Sequence, residues 1–169
     1  MIIGLPTPLF THLHVLISLI GLFTGFVLLY LMLKGKHARG WASVFLVTTI
    51  ATSITGFMFN IPFGPPDVIG VISLVVLLVA LVALYRFQLR GRWRWIYVAS
   101  AATALYLNVF VGVVQAFQKV TFFHSLAPTQ AEPPFAIAQG IVLVGFIALG
   151  IVAARRFHPM LQTARFAGQ

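Results

Sequence analysis

Five long apolar segments, roughly 9–33, 41–62, 68–87, 95–120 and 134–154, take up most of the chain. A helix needs about 20 apolar residues to cross the hydrocarbon core of a bilayer, so each segment is long enough to span. Inside a bilayer every backbone N–H and C=O must find its partner within the protein, which makes such spans helices. The expectation is an all-α integral membrane bundle of five transmembrane helices. The 169 residues leave no room for a soluble domain beside them, so residues 1–169 read as one domain. Composition agrees. Charged residues make up 8% of the chain, against about 25% in a soluble domain. With no cysteine, disulfides, thiolate metal sites and thiol redox chemistry are excluded.

The gaps between segments set the threading. Lys34-Gly35-Lys36-His37-Ala38-Arg39-Gly40 is short and basic, and the stretch from Arg86 to Arg94 holds further arginines. After Ala154 the tail adds Arg155, Arg156 and Arg165. The other gaps, Phe63-Gly64-Pro65-Pro66-Asp67 and Thr121 to Pro134, hold both acids, Asp67 and Glu132. Of the eleven Lys and Arg residues, only Lys119 falls on the acidic side. Five crossings and the positive-inside rule then put the N-terminus outside and the C-terminus in the cytoplasm. The same distribution accounts for the net charge of +9 through topology and anionic lipid headgroups, with no nucleic acid. Trp41, Trp93 and Trp95 fall at the cytoplasmic helix ends, where interfacial anchors belong. The N-terminus lacks a basic n-region and a cleavage site, so the first segment is expected to be retained.

Small and polar residues, not leucines, mark the inward faces of membrane helices. In the first segment Thr11, His14, Ser18, Gly21 and Gly25 recur at helical spacing. Thr48, Thr52, Gly56 and Asn60 do so in the second, with Thr49, Ser53 and Thr55 beside them. The fourth carries Ala101, Ala104, Asn108, Gly112, Gln115 and Lys119, and the fifth Ala136, Gln139 and Gly150. Most of this is packing. The first and fourth stripes, however, grow more polar toward the outer end, where Gln118, Gln130 and Glu132 also lie. Intramembrane polar groups point to function. The expectation is a pocket open to the outer face, lined by His14, His124, Asn108, Gln115 and Gln139.

Three histidines lie on that side. If His12-Leu13-His14 is extended, as Pro6 and Pro8 allow, both rings point one way. If it is helical, the rings stand about 200° apart and only His14 faces the bundle. His14 and His124 would serve as axial ligands of a haem b. In the alternative, His12, His14 and His124, with Glu132, would hold copper or zinc. His37 and His158 belong to the cytoplasmic headgroup level. Lys119 is expected to snorkel outward. Glu132, just before Pro133 and Pro134, has a structural role available at a helix N-terminus. The phenylalanines of the Thr121–Phe135 gap would fold over the bundle as a lid.

The run Ala127-Pro128-Thr129-Gln130-Ala131-Glu132-Pro133-Pro134-Phe135, with His12-Leu13-His14 and Tyr106-Leu107-Asn108-Val109-Phe110, resembles the uncharacterised small polytopic inner-membrane proteins of Gram-negative bacteria. The resemblance covers most of the chain. It implies a multi-pass protein of the bacterial inner membrane and carries no chemistry.

Three functions compete. One is a ligand-binding redox module for haem b or a quinone, and a metal-binding membrane protein is its close variant. Another is a non-catalytic accessory or scaffold subunit, with a membrane-protein partner or a second copy of the chain. A transporter ranks last, because no Asp or Glu lies in mid-membrane and five spans do not divide into equal repeats. No hydrolase geometry can be built from two acids, and the sequence leaves open whether the chain is an enzyme.

Overall fold

The computed structural model describes residues 2, 4–36, 38–59 and 64–158. The polar Asn60, the loop His37 and the tail Arg165 lie outside them. Among the described residues the protein is all helical, with no β-strand: α1 (Thr7–Leu33), α2 (Arg39–Gly56), α3 (Pro65–Leu81), α4 (Trp93–Lys119), α5 (Thr121–Leu126) and α6 (Pro133–Arg156). One π-helical turn, Val82–Arg86, continues α3. Four of these helices are long and apolar enough to cross a membrane: Thr7–Leu33, Pro66–Arg86, Trp93–Lys119 and Pro133–Arg156. The protein is thus multi-pass by length and composition. Helix α2 is the exception, an 18-residue helix holding four threonines and two serines.

Proline sets three helix starts. α1, α3 and α6 each carry proline within the first two positions, where no N–H is needed and the fixed φ suits a helix. In α3 the Asp67 carboxylate accepts the Gly64 N–H at 2.6 Å, closing the turn before the helix. α1 ends at Gly35, whose φ of +70° glycine adopts without strain.

The helices run up and down. α1 and α2 form an antiparallel hairpin: His14 meets Thr55, Gly21 meets Thr48 and Thr49, and Gly25 meets Phe45. α2 continues against α3 through the Ser53–Ser73 hydroxyl pair and through Ser43 bonded to Tyr85. α4 packs on α3 and α6, and Gly150 of α6 sits against Ala102. The short α5, absent from the sequence expectation, packs on the end of α4.

One end of this bundle is basic. There the α1–α2 turn, the α3–α4 turn and the end of α6 come together: Gly35 lies against the Arg156 carbonyl, and Arg94 donates to the Phe157 carbonyl. The main apolar core fills this half, with Met32, Phe45, Leu46, Leu84, Tyr97, Leu105 and Phe157 all enclosed. Burying a side chain of this kind is worth about 1.5–3 kcal/mol in water. Between lipid-exposed helices the same contacts act through van der Waals packing.

Candidate functional site

α1 is already helical at Thr7, so the extended option for His12-Leu13-His14 does not hold. Pro6 and Pro8 belong to the first turn of the helix rather than to an extended entry. Helix periodicity then separates the rings. His12 is exposed, and His14 is half-buried and turned toward α2.

His14 Nδ1 lies 2.7 Å from the Thr55 hydroxyl. That hydroxyl in turn lies 2.7 Å from the Ala51 carbonyl, which can only accept. Thr55 has one proton, and it goes to Ala51. The Nδ1–H of His14 therefore donates to the Thr55 oxygen, and Nε2 carries the free lone pair. This is the arrangement in which a histidine is oriented for a ligand by a bond on its other nitrogen. The imidazole also stands edge-on to Phe59, with centroids 5.1 Å apart. Lys119 ends α4 at the same end of the bundle.

Deeper in the bundle a polar layer joins three helices. Asn108 of α4 donates to the Thr49 hydroxyl at 3.2 Å. A Cβ on Gly21 of α1 would lie 3.4 Å from the Thr48 and Thr49 hydroxyls and 3.8 Å from the Asn108 amide. Asn108 therefore points at α1 and α2. At about 100° per residue, Gly112, Gln115 and Lys119 point within about 40° of the same direction. All three are exposed, and a Cβ on Gly112 would meet nothing within 4 Å. Beyond Asn108, the face of α4 that continues this direction is therefore uncovered. His14 on α1 and Asn108, Gln115 and Lys119 on α4 are the polar groups around that open space. Nearby on α2, the Thr52 hydroxyl is buried without a partner.

The remaining expected residues lie elsewhere. Gln139 is buried on α6 and donates to the Phe110 carbonyl at 3.2 Å, tying α6 to α4 and leaving its Oε1 buried and unpartnered. Gln130 reaches the Val114 carbonyl at 3.0 Å and pins the loop after α5 to α4. His124 is exposed on α5 and donates from Nδ1 to the Phe117 carbonyl at 3.3 Å. Among the described residues no three His, Asp or Glu side chains lie close enough to hold one metal ion, so His12, His14 and His124 form no such group.

Gln115 lies on the inward stripe and is exposed, since a stripe fixes direction and not the distance to the next helix. One expectation about this end needs correction. The gap phenylalanines do not all fold inward: Phe123 packs on Phe117, whereas Phe122 is 65% exposed. Glu132 has the structural role foreseen for it, in a different form. It precedes Pro133, and its Oε1 accepts both the N–H and the hydroxyl of Thr129. Desolvation pushes this carboxyl up, but the Thr129 hydroxyl and the backbone N–H groups around it outweigh that and hold it below the usual glutamate range.

The spacing places Thr55, which bonds His14, beside the α2 stripe without pairing it with His14. A signal for it existed. The pairs His14–Thr55, Gly21–Thr48 and Gly25–Phe45 are all mirrored about the turn at Lys34–Gly35, so folding the hairpin there would have found it.

Compared with protein-family models, with curated proteins and with solved structures, the chain matches none.

Proposed function

We propose that the chain is a five-span protein of a bacterial inner membrane that binds a redox-active small molecule, haem b or a quinone, in the open space beside His14. The observation that carries this is the 2.7 Å pair between His14 Nδ1 and the Thr55 hydroxyl, itself 2.7 Å from the Ala51 carbonyl: on that arrangement Nδ1–H is committed to Thr55 and Nε2 keeps its lone pair. That nitrogen can ligate a haem iron or accept a proton from a quinol hydroxyl. Gln115 and Lys119 supply donors for a carbonyl or carboxylate.

Support for α2 as the fifth span comes from its pairing with α1 and from its hydroxyls. Ser43, Thr48, Ser53 and Thr55 each bond a carbonyl of their own helix, which removes most of their cost in hydrocarbon. Its 18 residues extend about 27 Å, close to the roughly 30 Å core. The basic end then faces the cytoplasm and the His14 end faces outward, with the N-terminus outside. A reporter fused after Gln169 is expected to be active only in the cytoplasm; activity only in the periplasm overturns this orientation.

The binding test is the purified protein itself. A Soret band, or quinone recovered by solvent extraction at near one per chain, supports the reading. His14→Ala should remove the bound species, whereas His158→Ala at the other end should not. Wild-type content in the His14→Ala protein overturns it. A second reading, an accessory subunit of a larger complex, is favoured by α6, of whose 24 residues only Gln139, Ala153 and Ala154 are buried. A colourless, quinone-free protein that co-purifies at fixed ratio with another membrane protein would favour that reading.

A further inference from the structure

The opposite end of the bundle carries a second chemistry, independent of His14. Of the eleven Lys and Arg residues, Lys119 sits at the polar end and Arg165 lies outside the described residues, leaving nine at the basic end. Both acids, Asp67 and Glu132, begin α3 and α6 at the far end. Two contacts draw three chain segments into one corner. A Cβ on Gly35 would lie 3.0 Å from the Arg156 carbonyl, which brings the α1–α2 turn onto the end of α6. The Arg94 guanidinium donates to the Phe157 carbonyl, which brings the start of α4 to the same place. The corner thus collects Lys34 and Lys36, Arg92 and Arg94, and Arg155 and Arg156.

Arg94 is committed: it holds Phe157 and lies over the Trp95 ring at 5.1 Å. The other five are exposed. Among the described residues neither acid lies at this end, so an anion there would be drawn to several exposed cations at once. Trp41 and Trp95 stand exposed at the same end, at the level where a bilayer changes from hydrocarbon to headgroups. A phosphate is satisfied by one or two guanidinium forks, which would leave the cations of the third segment unmatched. A second phosphate on the same headgroup reaches them at high effective concentration.

We infer that this corner is a binding site for a lipid whose headgroup carries two phosphates. The ligand is a lipid rather than a free anion or a nucleic acid because the cations stand at the ends of apolar helices beside interfacial tryptophans, where lipid phosphates already lie.

The test uses the full chain, delipidated in mild detergent and read by native mass spectrometry. The probes are diphosphatidylglycerol with two phosphates and phosphatidylglycerol with one, at equal total phosphate. Occupancy by the two-phosphate lipid is expected to be about five-fold higher, a preference of about 1 kcal/mol. The pair Arg92→Gln and Arg156→Gln should abolish that preference, while Lys119→Gln at the other end keeps it. Circular dichroism checks that the pair still folds, and Lys36→Gln with Arg155→Gln provides a second disruption at exposed positions. Equal occupancy by the two lipids overturns the site. So does displacement of the lipid by inorganic pyrophosphate, which would make it a free-anion site, or by a short single-stranded oligonucleotide, which would make it a nucleic-acid surface.

Discussion

The basic half of the bundle and the polar half are built from the same helices and packed in opposite ways. In the basic half a Cβ on Gly25 would fall 2.5 Å from Leu105 and 2.8 Å from the Phe45 ring, so glycine there is required by contact. In the polar half a Cβ on Gly70 would fall 2.9 Å from the Phe57 ring, but Gly112 and Gly140 face open space. Phe45, Leu105 and Tyr97 are fully enclosed in the basic half, whereas the polar half encloses Phe10 and Phe117 but leaves His12, Gln115 and His124 exposed. The difference shows where rigidity and where chemistry reside. The closely packed half holds the helices together, and the open half leaves polar side chains uncovered near His14.

The largest test of that contrast is Phe45→Ala. Phe45 is 0% exposed, and its loss should cost about 3–5 kcal/mol. Phe122→Ala, at the other end, should stay within about 0.5 kcal/mol. Thermal unfolding in detergent distinguishes them, and equal losses would mean that the halves are not packed differently. Gly25→Ala comes next, with an expected cost of about 1–3 kcal/mol from the overlap with Leu105 and Phe45. Gly112→Ala serves as its silent counterpart in the same measurement.

Thr55→Val sharpens the comparison from the polar side. It leaves the helix intact but removes the oxygen that holds the His14 Nδ1–H. Retention of the bound haem or quinone should fall about 10- to 100-fold, as for other groups that orient a ligating histidine. Unchanged retention would detach Thr55 from the site. The smallest effect concerns Glu132. Its folded carboxyl titrates below the ordinary glutamate value, so its contribution is complete above that value. It is lost as the pH falls through the depressed one. Hydrogen exchange in the Thr129–Ala131 loop should therefore rise on acidification over that window. In Thr129→Val the rise should begin at higher pH.

Long apolar runs and proline-rich gaps made the helices legible, because bilayer thickness and the first-turn tolerance for proline act on short stretches of chain. What stayed hidden depended on neighbours. Pro6 and Pro8 fit an extended lead-in and a helix start equally well until α1 is seen to begin at Thr7. The second apolar run reads through to 62, but α2 stops at Gly56, since hydropathy does not distinguish a helix from the turns that follow it. Leu89 has a left-handed φ of 59° in the α3–α4 turn, which its burial in the core sustains; no residue preference signals that. His14 and Asn108 were identified as inward-facing from spacing alone. Their partners on α2 required the hairpin register, and the exposure of Gln115 on the same stripe has no signature in the spacing.

The layer of Gly21, Thr48, Thr49 and Asn108 also decides what can pass through the molecule. On its far side the path meets Gly25, Leu28, Phe45, Ala101 and Leu105, which offer no side-chain dipole to replace the water around an ion. Thr24, the nearest buried hydroxyl, is already spent on the carbonyls of Ile20 and Gly21. On the proposed function, a proton or cation entering beside His14 would therefore have to leave the way it came. A molecule bound there would exchange with one side of the bilayer only. The apolar half would act as an insulator, and a transmembrane voltage would drop across it rather than drive charge through it.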